Sequence, residues 1–255
     1  MNNTPVPAYL LPDVLIGSAA VVAAVIAGLR LGLSPRSRAF RILSVTLVAW
    51  FLAALALTWL GFYQGTHSRL PTIQYGLLIP ILIGVALFWR WPALRRIVDA
   101  VPQRWIVTLQ VYRVLGLIFL VLYAAGRMPG EFAWPAGVGD VFVGLLAPIV
   151  GLAYARQWRG SAGLVRAWNL LGLTDLVVAV TTGFLSSPSP FQMLAFDRPN
   201  QLIGAFPLAM IPVFLVPLSI LLHLASLQKL RQKARNTAVS GTMNYGAVKT
   251  QANLL

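Results

Sequence analysis

The chain has 255 residues, of which 58% are hydrophobic and 10% are charged, and its net charge is +14. This composition excludes an ordinary soluble domain, in which about 25% of residues are charged. The mean hydropathy of +0.77 indicates lipid as the main solvent. Nucleic acid is not an expected partner, because the basic residues form short clusters between apolar stretches. The absence of cysteine excludes disulfides, thiol catalysis and cysteine-ligated metals.

Seven apolar stretches are long enough to cross a membrane, because a hydrocarbon core of about 30 Å requires roughly 20 apolar residues per helix. We therefore predict an all-α, polytopic integral membrane protein with a seven-helix transmembrane domain over residues 1–227. The predicted spans are residues 10–31, 42–62, 72–89, 105–126, 136–155, 167–186 and 206–227. Residues 228–255 are predicted to form a cytoplasmic tail that is first basic and then disordered.

The basic residues fall mainly in alternate connections, which predicts the orientation of the protein. The connections after the first, third and fifth spans, together with the tail, hold most of the 20 basic residues, whereas Arg69, Arg127 and Arg198 fall on the other side. Lys and Arg in short loops stay in the cytoplasm, so we expect the N-terminus outside and the C-terminus inside a bacterial inner membrane. Anionic lipids at the cytoplasmic face would attract residues 228–235 by about 1 kcal/mol per basic residue.

Three consecutive spans each contain one ionisable residue: Arg113, Asp140 or Asp175. A charge at the middle of a bilayer costs about 2.5 kcal/mol or more, so each is a candidate functional residue. Arg113 lies eight residues after Trp105, and Asp175 lies eight residues after Ala167. At about 1.5 Å per helical residue, both reach a depth of roughly 12 Å from the cytoplasmic side. These depths predict an ion pair between Arg113 and Asp175.

This pair forms the centre of a predicted substrate or ion site, which also includes Gln110 and Tyr112 on the span of Arg113. Replacing Asp175 by Asn is then predicted to leave the charge of Arg113 unpaired and to lower stability. Asp140 lies only four residues inside its predicted span, so we expect it near the outer surface. There it would either line an outward-open vestibule or bond to backbone groups at the start of its helix.

The last predicted span contains His223 near its inner end, with Ser219 and Ser226 on the same helical face. His223 is a candidate proton relay, and the alternative is a simple hydrogen-bonded side chain. Three prolines interrupt the same span and predict a bent helix. With two histidines in the chain, no phosphate-binding loop and no lysine in the last span for a retinal Schiff base, we expect no metal and no cofactor.

Residues 137–140 read Gly-Val-Gly-Asp, and residues 92–94 read Pro-Ala-Leu. These motifs resemble the G-x-G-D and P-A-L signatures of intramembrane aspartyl proteases. The resemblance implies two catalytic aspartates that share a water, here Asp140 and Asp175. It covers seven residues, and the Pro-Ala-Leu motif precedes the aspartate motif instead of following it. The predicted depths separate the two aspartates by roughly 12 Å, which is too far for carboxylates to share a proton.

A short internal similarity relates two neighbouring spans. Residues 137–143 and 172–178 both follow the pattern Gly-x-x-Asp, then Val or Leu, then x-Val. The two helices are predicted to run in opposite directions, and inverted repeats with a site between them are typical of transporters. Chance similarity between sequences rich in Gly and Val is the alternative interpretation.

The leading functional hypothesis is a transporter or sensor of a small solute, with the proton as a possible coupling ion. Arg113 and Asp175 would form the central polar site, Asp140 its outer approach, and the proline-rich last span the moving element. A membrane-embedded enzyme of aspartyl type, acting on lipid or peptide, is one alternative. A structural or accessory membrane subunit, in which the ion pair only fixes the helix bundle, is the other.

Overall fold

The structure is a computed structural model, which describes residues 6–64 and 72–252, with side chains as far as Asn236. Arg69 of the predicted outer loop and the last three residues of the predicted tail lie outside this part. The described chain is helical and contains no strand. Its α-helices are α1 (Leu10–Gly32), α2 (Arg38–Trp59), α3 (Ile73–Arg90), α4 (Pro92–Ala100), α5 (Gln103–Thr108), α6 (Leu117–Ala124), α7 (Gly130–Ala155), α8 (Ser161–Ser186) and α9 (Val216–Ala252).

Seven helical stretches of the described chain are long and apolar enough to cross a membrane, as the sequence predicts. The fourth stretch, Gln103–Ala124, is composite: a 3-10 segment at Leu109–Gly116 joins α5 to α6. The fifth begins at Gly130, six residues before its predicted start. Its first turn contains Glu131, an acidic residue that favours a helix N-terminus but lowers the local hydropathy. Hydropathy therefore misses the first turns of this helix.

The last span differs most from its prediction, which began at residue 206. A π-helical segment, Ile211–Leu215, precedes α9, and regular α-helix begins only at Val216. Pro212 lies in the first turn of the π segment, where a backbone N–H would have no partner within the segment. Helix α9 then continues to Ala252, through the segment predicted as a disordered tail. The Gln, Leu, Lys and Arg residues just after residue 227 favour helix, which accounts for its extension there.

The centre of the bundle is formed by α7, which packs along α8, α5, the 3-10 segment and α6. Helix α9 packs against α8, α3 and α5, and thereby closes the other side of the 3-10 segment. Two glycines allow close approaches to aspartate side chains. A side chain on Gly116 would overlap Asp140, and one on Gly139 would overlap the Asp175 carboxylate.

The bundle carries apolar side chains on its surface and polar ones inside. Ile16, Val45, Leu82 and Val177, each well inside a long helix, are exposed by 68%, 67%, 65% and 63%. The buried polar residues include Gln103, Gln110, Arg113, Asp140, Asn169, Ser219, His223 and Ser226. A soluble protein has the opposite distribution.

The contact at Gly139 predicts a matched pair of stability effects. Gly139→Ala should destabilise the folded protein by about 1–3 kcal/mol, because the added methyl group forces the Asp175 carboxylate from its position. Gly163→Ala is the control, since a Cβ on Gly163 meets nothing within 4 Å. Unfolding of the purified protein in denaturant should therefore show a loss for the first variant only, and equal stabilities of the two variants would contradict the packing described.

Candidate functional site

The side chain of Arg113 lies at the centre of the bundle and is 3% exposed. Its Nε donates to Oδ1 of Asp140 at 2.7 Å, and its Nη2 donates to Oδ2 of Asp175. Its Nη1 donates to the backbone carbonyl of Gly172 at 3.3 Å. We call Asp140, Arg113 and Asp175 the charged triad. One guanidinium thus joins the 3-10 segment to both α7 and α8.

The two aspartates bind neighbouring groups of the same guanidinium. Nε and Nη2 belong to one edge of this planar group, so their acceptors lie side by side. Two ionised carboxylates against one arginine leave the triad with one uncompensated negative charge. In a buried site, such an arrangement favours the binding of a proton.

His223 of α9 approaches the triad from its other side. Its Nε2 lies 3.1 Å from Nη1 of Arg113, and its Nδ1 lies 2.9 Å from Oδ1 of Asn169. Arginine can only donate, so Nε2 accepts and carries no proton. The Asn169 amide is oriented by its own bond from Nδ2 to the Val165 carbonyl, at 2.7 Å, which leaves Oδ1 to accept from Nδ1. The histidine is therefore neutral, with its proton on Nδ1.

A chain of buried polar side chains leads from His223 to the start of α5. Nδ2 of Asn169 donates to Oγ of Ser226 at 2.8 Å, and Nε2 of Gln103 donates to the same oxygen at 2.6 Å. These three residues are at most 4% exposed. Together with Arg113 and His223 they form a continuous hydrogen-bonded connection, which we call the inner polar chain.

Gln110 and Tyr112 occupy a neighbouring cluster instead of binding Arg113. Gln110 Nε2 donates to the Ser219 carbonyl at 3.1 Å, and Ser219 Oγ donates to Gln110 Oε1 at 2.8 Å. The Tyr112 hydroxyl lies 2.7 Å from Ser219 Oγ and donates to the Leu215 carbonyl at 3.2 Å. These bonds fasten the 3-10 segment to α9 and to the end of the π segment.

The predicted ion pair between Arg113 and Asp175 is present, but the predicted position of Asp140 is wrong. Asp140 lies ten residues after the start of α7 at Gly130 and is 6% exposed, so it reaches the same guanidinium as Asp175. The predicted separation of the two aspartates is therefore also wrong. The two aspartates of the internal similarity meet at Arg113.

Asn169, the partner of His223, is not among the predicted site residues. A signal was present: Asn169, Gly172 and Leu176 follow one another at helical spacing, and all three are buried on one face of α8. A single amide costs less in an apolar span than an ionised group does, so it stands out less. Asn169 matters because it contacts His223 of α9. The sequence of α8 alone does not reveal that contact.

A cavity of about 60 Å³ extends to Asp140 from the side of the bundle opposite Gln103. Its walls are mainly apolar and come from α3, α6, α7, α8 and the π segment, including Phe119, Phe132, Phe184 and Pro212. We call it the apolar cavity. Asp140 is the triad member on its wall, whereas Arg113 and Asp175 lie behind it. The volume is enough for about two water molecules.

No group of three or more His, Asp or Glu side chains that could hold a metal ion occurs within residues 6–64 and 72–236. The charged triad has two carboxylates but surrounds an arginine, which repels metal ions. The arrangement can hold a proton at its carboxylates and can accept and donate hydrogen bonds at His223.

A family model described as a domain of unknown function, DUF8737, matches residues 70–231. The match includes the charged triad, the inner polar chain and the apolar cavity. No curated protein and no solved structure matches the chain.

The triad changes the expected effect of Asp175→Asn. Arg113 keeps Asp140 as its partner, so each single substitution, Asp140→Asn or Asp175→Asn, leaves a neutral pair and should cost about 1 kcal/mol or less. The double variant leaves a buried guanidinium without a carboxylate and should cost about 3–5 kcal/mol. Denaturant unfolding of all four proteins measures the difference. The free-energy losses of Asp175→Asn and Asp13→Asn should simply add when the two are combined, which provides the control. Additive losses for Asp140→Asn and Asp175→Asn would contradict the shared guanidinium.

Proposed function

The chain belongs to the DUF8737 family, a domain of unknown function, and we propose its function from the site. We propose that it is an integral membrane protein that binds a proton at the charged triad and a small solute in the apolar cavity beside Asp140. The protein would transport or sense this solute. The observation that carries the proposal is the shared guanidinium: two carboxylates side by side on Arg113, one of them on the wall of the apolar cavity.

Insertion in a membrane is supported by the apolar outer faces of the helices. Seven helical stretches have the length and hydropathy of membrane spans, and their exposed middle residues are aliphatic. The basic residues between them cluster on alternate connections. Under the positive-inside rule this supports an outside N-terminus and a cytoplasmic C-terminus in a bacterial inner membrane.

Proton binding is supported by the charge of the triad. With both aspartates ionised, one negative charge remains uncompensated in the bundle interior. A proton on either carboxylate removes that charge and the repulsion between the two oxygens. Neutral His223 accepts from the same guanidinium through Nε2 and donates through Nδ1 to Asn169, the next member of the inner polar chain.

Solute binding is supported by the arrangement around the triad. The apolar cavity reaches Asp140 from one side, and the inner polar chain leads toward Gln103 on the other. Alternating access requires a site that can be approached from either side of the membrane, and the apolar cavity and the inner polar chain lie on the two sides of the triad. The π segment lines the cavity through Ile211 and Pro212, and a helix with this irregular backbone is a suitable moving element.

An aspartyl-type enzyme is the second candidate, because both carboxylates reach one guanidinium. It would require Asp140 and Asp175 to exchange Arg113 for a shared water during the reaction. Cleavage of a membrane-embedded peptide or lipid by the reconstituted protein, abolished by either Asn substitution, would favour this function over transport.

The proposed orientation can be tested with single cysteines, since the chain contains none of its own. Gln64 and Ser34 are both exposed, and they lie in the connections at opposite ends of α2. In intact cells, a membrane-impermeant thiol reagent should label Gln64→Cys and leave Ser34→Cys unlabelled until the membrane is opened. The reverse pattern, or equal labelling of the two variants, would contradict the orientation.

The proposed activity can be tested in proteoliposomes that carry an imposed pH gradient and an internal pH dye. A solute from a panel of small compounds should dissipate the gradient with the wild-type protein. Asp140→Asn and Asp175→Asn should abolish this flux while the protein stays folded, because the remaining neutral pair has no carboxylate left for the proton. Asp13→Asn is the control, since Asp13 is an exposed acid that does not belong to the triad.

Equal rates in wild-type and empty liposomes for every solute would contradict proton-coupled transport. If the wild-type protein then still binds a solute from the panel, a sensor remains. If it binds none, the triad is better explained as a structural feature of an accessory subunit.

A further inference from the structure

A second cavity lies at the inner end of the bundle, and it is strongly basic. It has a volume of about 640 Å³ and is open to the surroundings. Three cationic side chains from three different helices line it: Arg104 of α5, Arg166 of α8 and Lys233 of α9. None of its lining residues is acidic. We call it the basic cavity.

The basic cavity also contains hydrogen-bonding groups suited to an anion. The ammonium group of Lys233 lies 5.4 Å from the centre of the Tyr154 ring and 3.5 Å from its hydroxyl, so the phenol and the lysine face the same space. Ser161 and Ala162, the first residues of α8, line the cavity as well. The N-terminus of a long helix carries partial positive charge and free N–H groups.

Gln103 provides an independent indication of a ligand. Its side chain is 4% exposed, and its Nε2 is used by Ser226. Its Oε1 is buried without a hydrogen-bond partner, and Gln103 lines the basic cavity. A buried acceptor without a donor costs free energy, so an occupant of this cavity would have to supply a donor such as a hydroxyl group.

We infer that the basic cavity binds a phosphate group on a molecule that also carries a hydroxyl. The arginines and Lys233 would bind the phosphate oxygens, since guanidinium groups match phosphate geometry, and the hydroxyl would donate to Gln103 Oε1. An anionic lipid headgroup, such as phosphatidylglycerol, and a soluble phosphate ester, such as glycerol phosphate, both have this chemistry. A defined pocket of this kind differs from the diffuse attraction of a basic tail to a charged membrane surface.

This inference does not depend on the proposed transport activity. It does suggest how the two sites could communicate, because Gln103 is also the last member of the inner polar chain. A ligand that binds Gln103 acts on Ser226, and through Asn169 on His223.

Thermal unfolding of the protein in nanodiscs tests the basic cavity. One series replaces phosphatidylcholine stepwise with phosphatidylglycerol, and a second adds glycerol phosphate to discs of phosphatidylcholine alone. The unfolding temperature of the wild-type protein should rise and saturate in at least one series. Saturation in the first identifies a lipid headgroup, and saturation in the second identifies a soluble ester.

The variants separate a defined site from general charge attraction. In the double variant Arg104→Gln and Arg166→Gln, the half-saturating amount of ligand should rise by about tenfold or more, because two charge-assisted contacts are lost. Arg156→Gln and Arg159→Gln together are the matched control, since they remove the same number of charges: both arginines are exposed in the connection before α8, and neither lines the cavity. Equal responses of the double variant and the control, or no wild-type response in either series, would overturn the inference.

Discussion

A buried guanidinium must have its N–H groups satisfied, and the bundle is arranged around this requirement at Arg113. Helix α7 supplies Asp140, helix α8 supplies Asp175 and the Gly172 carbonyl, and helix α9 supplies His223. Removing any of these helices would leave a charged or polar group unpaired in an apolar surrounding, at a cost of several kcal/mol. The triad therefore specifies how the 3-10 segment, α7, α8 and α9 fit together.

The same requirement makes the site asymmetric. On one side Asp140 reaches the wall of an apolar cavity bounded by the π segment, and on the other side His223 begins a chain of buried amides and hydroxyls toward Gln103. The two aspartates come from similar short sequences on consecutive helices that run in opposite directions. A single arginine between them leaves one negative charge to be neutralised, which is the physical basis for proposing a proton-binding centre.

The sequence predicted the seven helical stretches that are long and apolar enough to cross a membrane, because the thickness of a bilayer sets the apolar length that a span requires. It also predicted the contact between Arg113 and Asp175, because each residue lies eight positions from a predicted helix end, on the side predicted to be cytoplasmic. It misplaced Asp140, since the first turns of α7 contain Glu131 and fall outside an apolar window. Asn169 could not be recognised as the partner of His223, because their contact depends on how α8 packs against α9, and no local pattern encodes that packing.

The most direct test of the account is whether the triad holds a proton. Infrared spectra of the reconstituted protein at neutral pH distinguish a protonated carboxylic acid from an ionised carboxylate by the carbonyl stretch of the acid. We expect a protonated-acid band that disappears in Asp140→Asn and in Asp175→Asn, because either substitution leaves a single carboxylate paired with Arg113. The band should persist in Asp13→Asn. A wild-type spectrum with ionised carboxylates alone, or a band that survives both triad substitutions, would contradict a proton-binding centre.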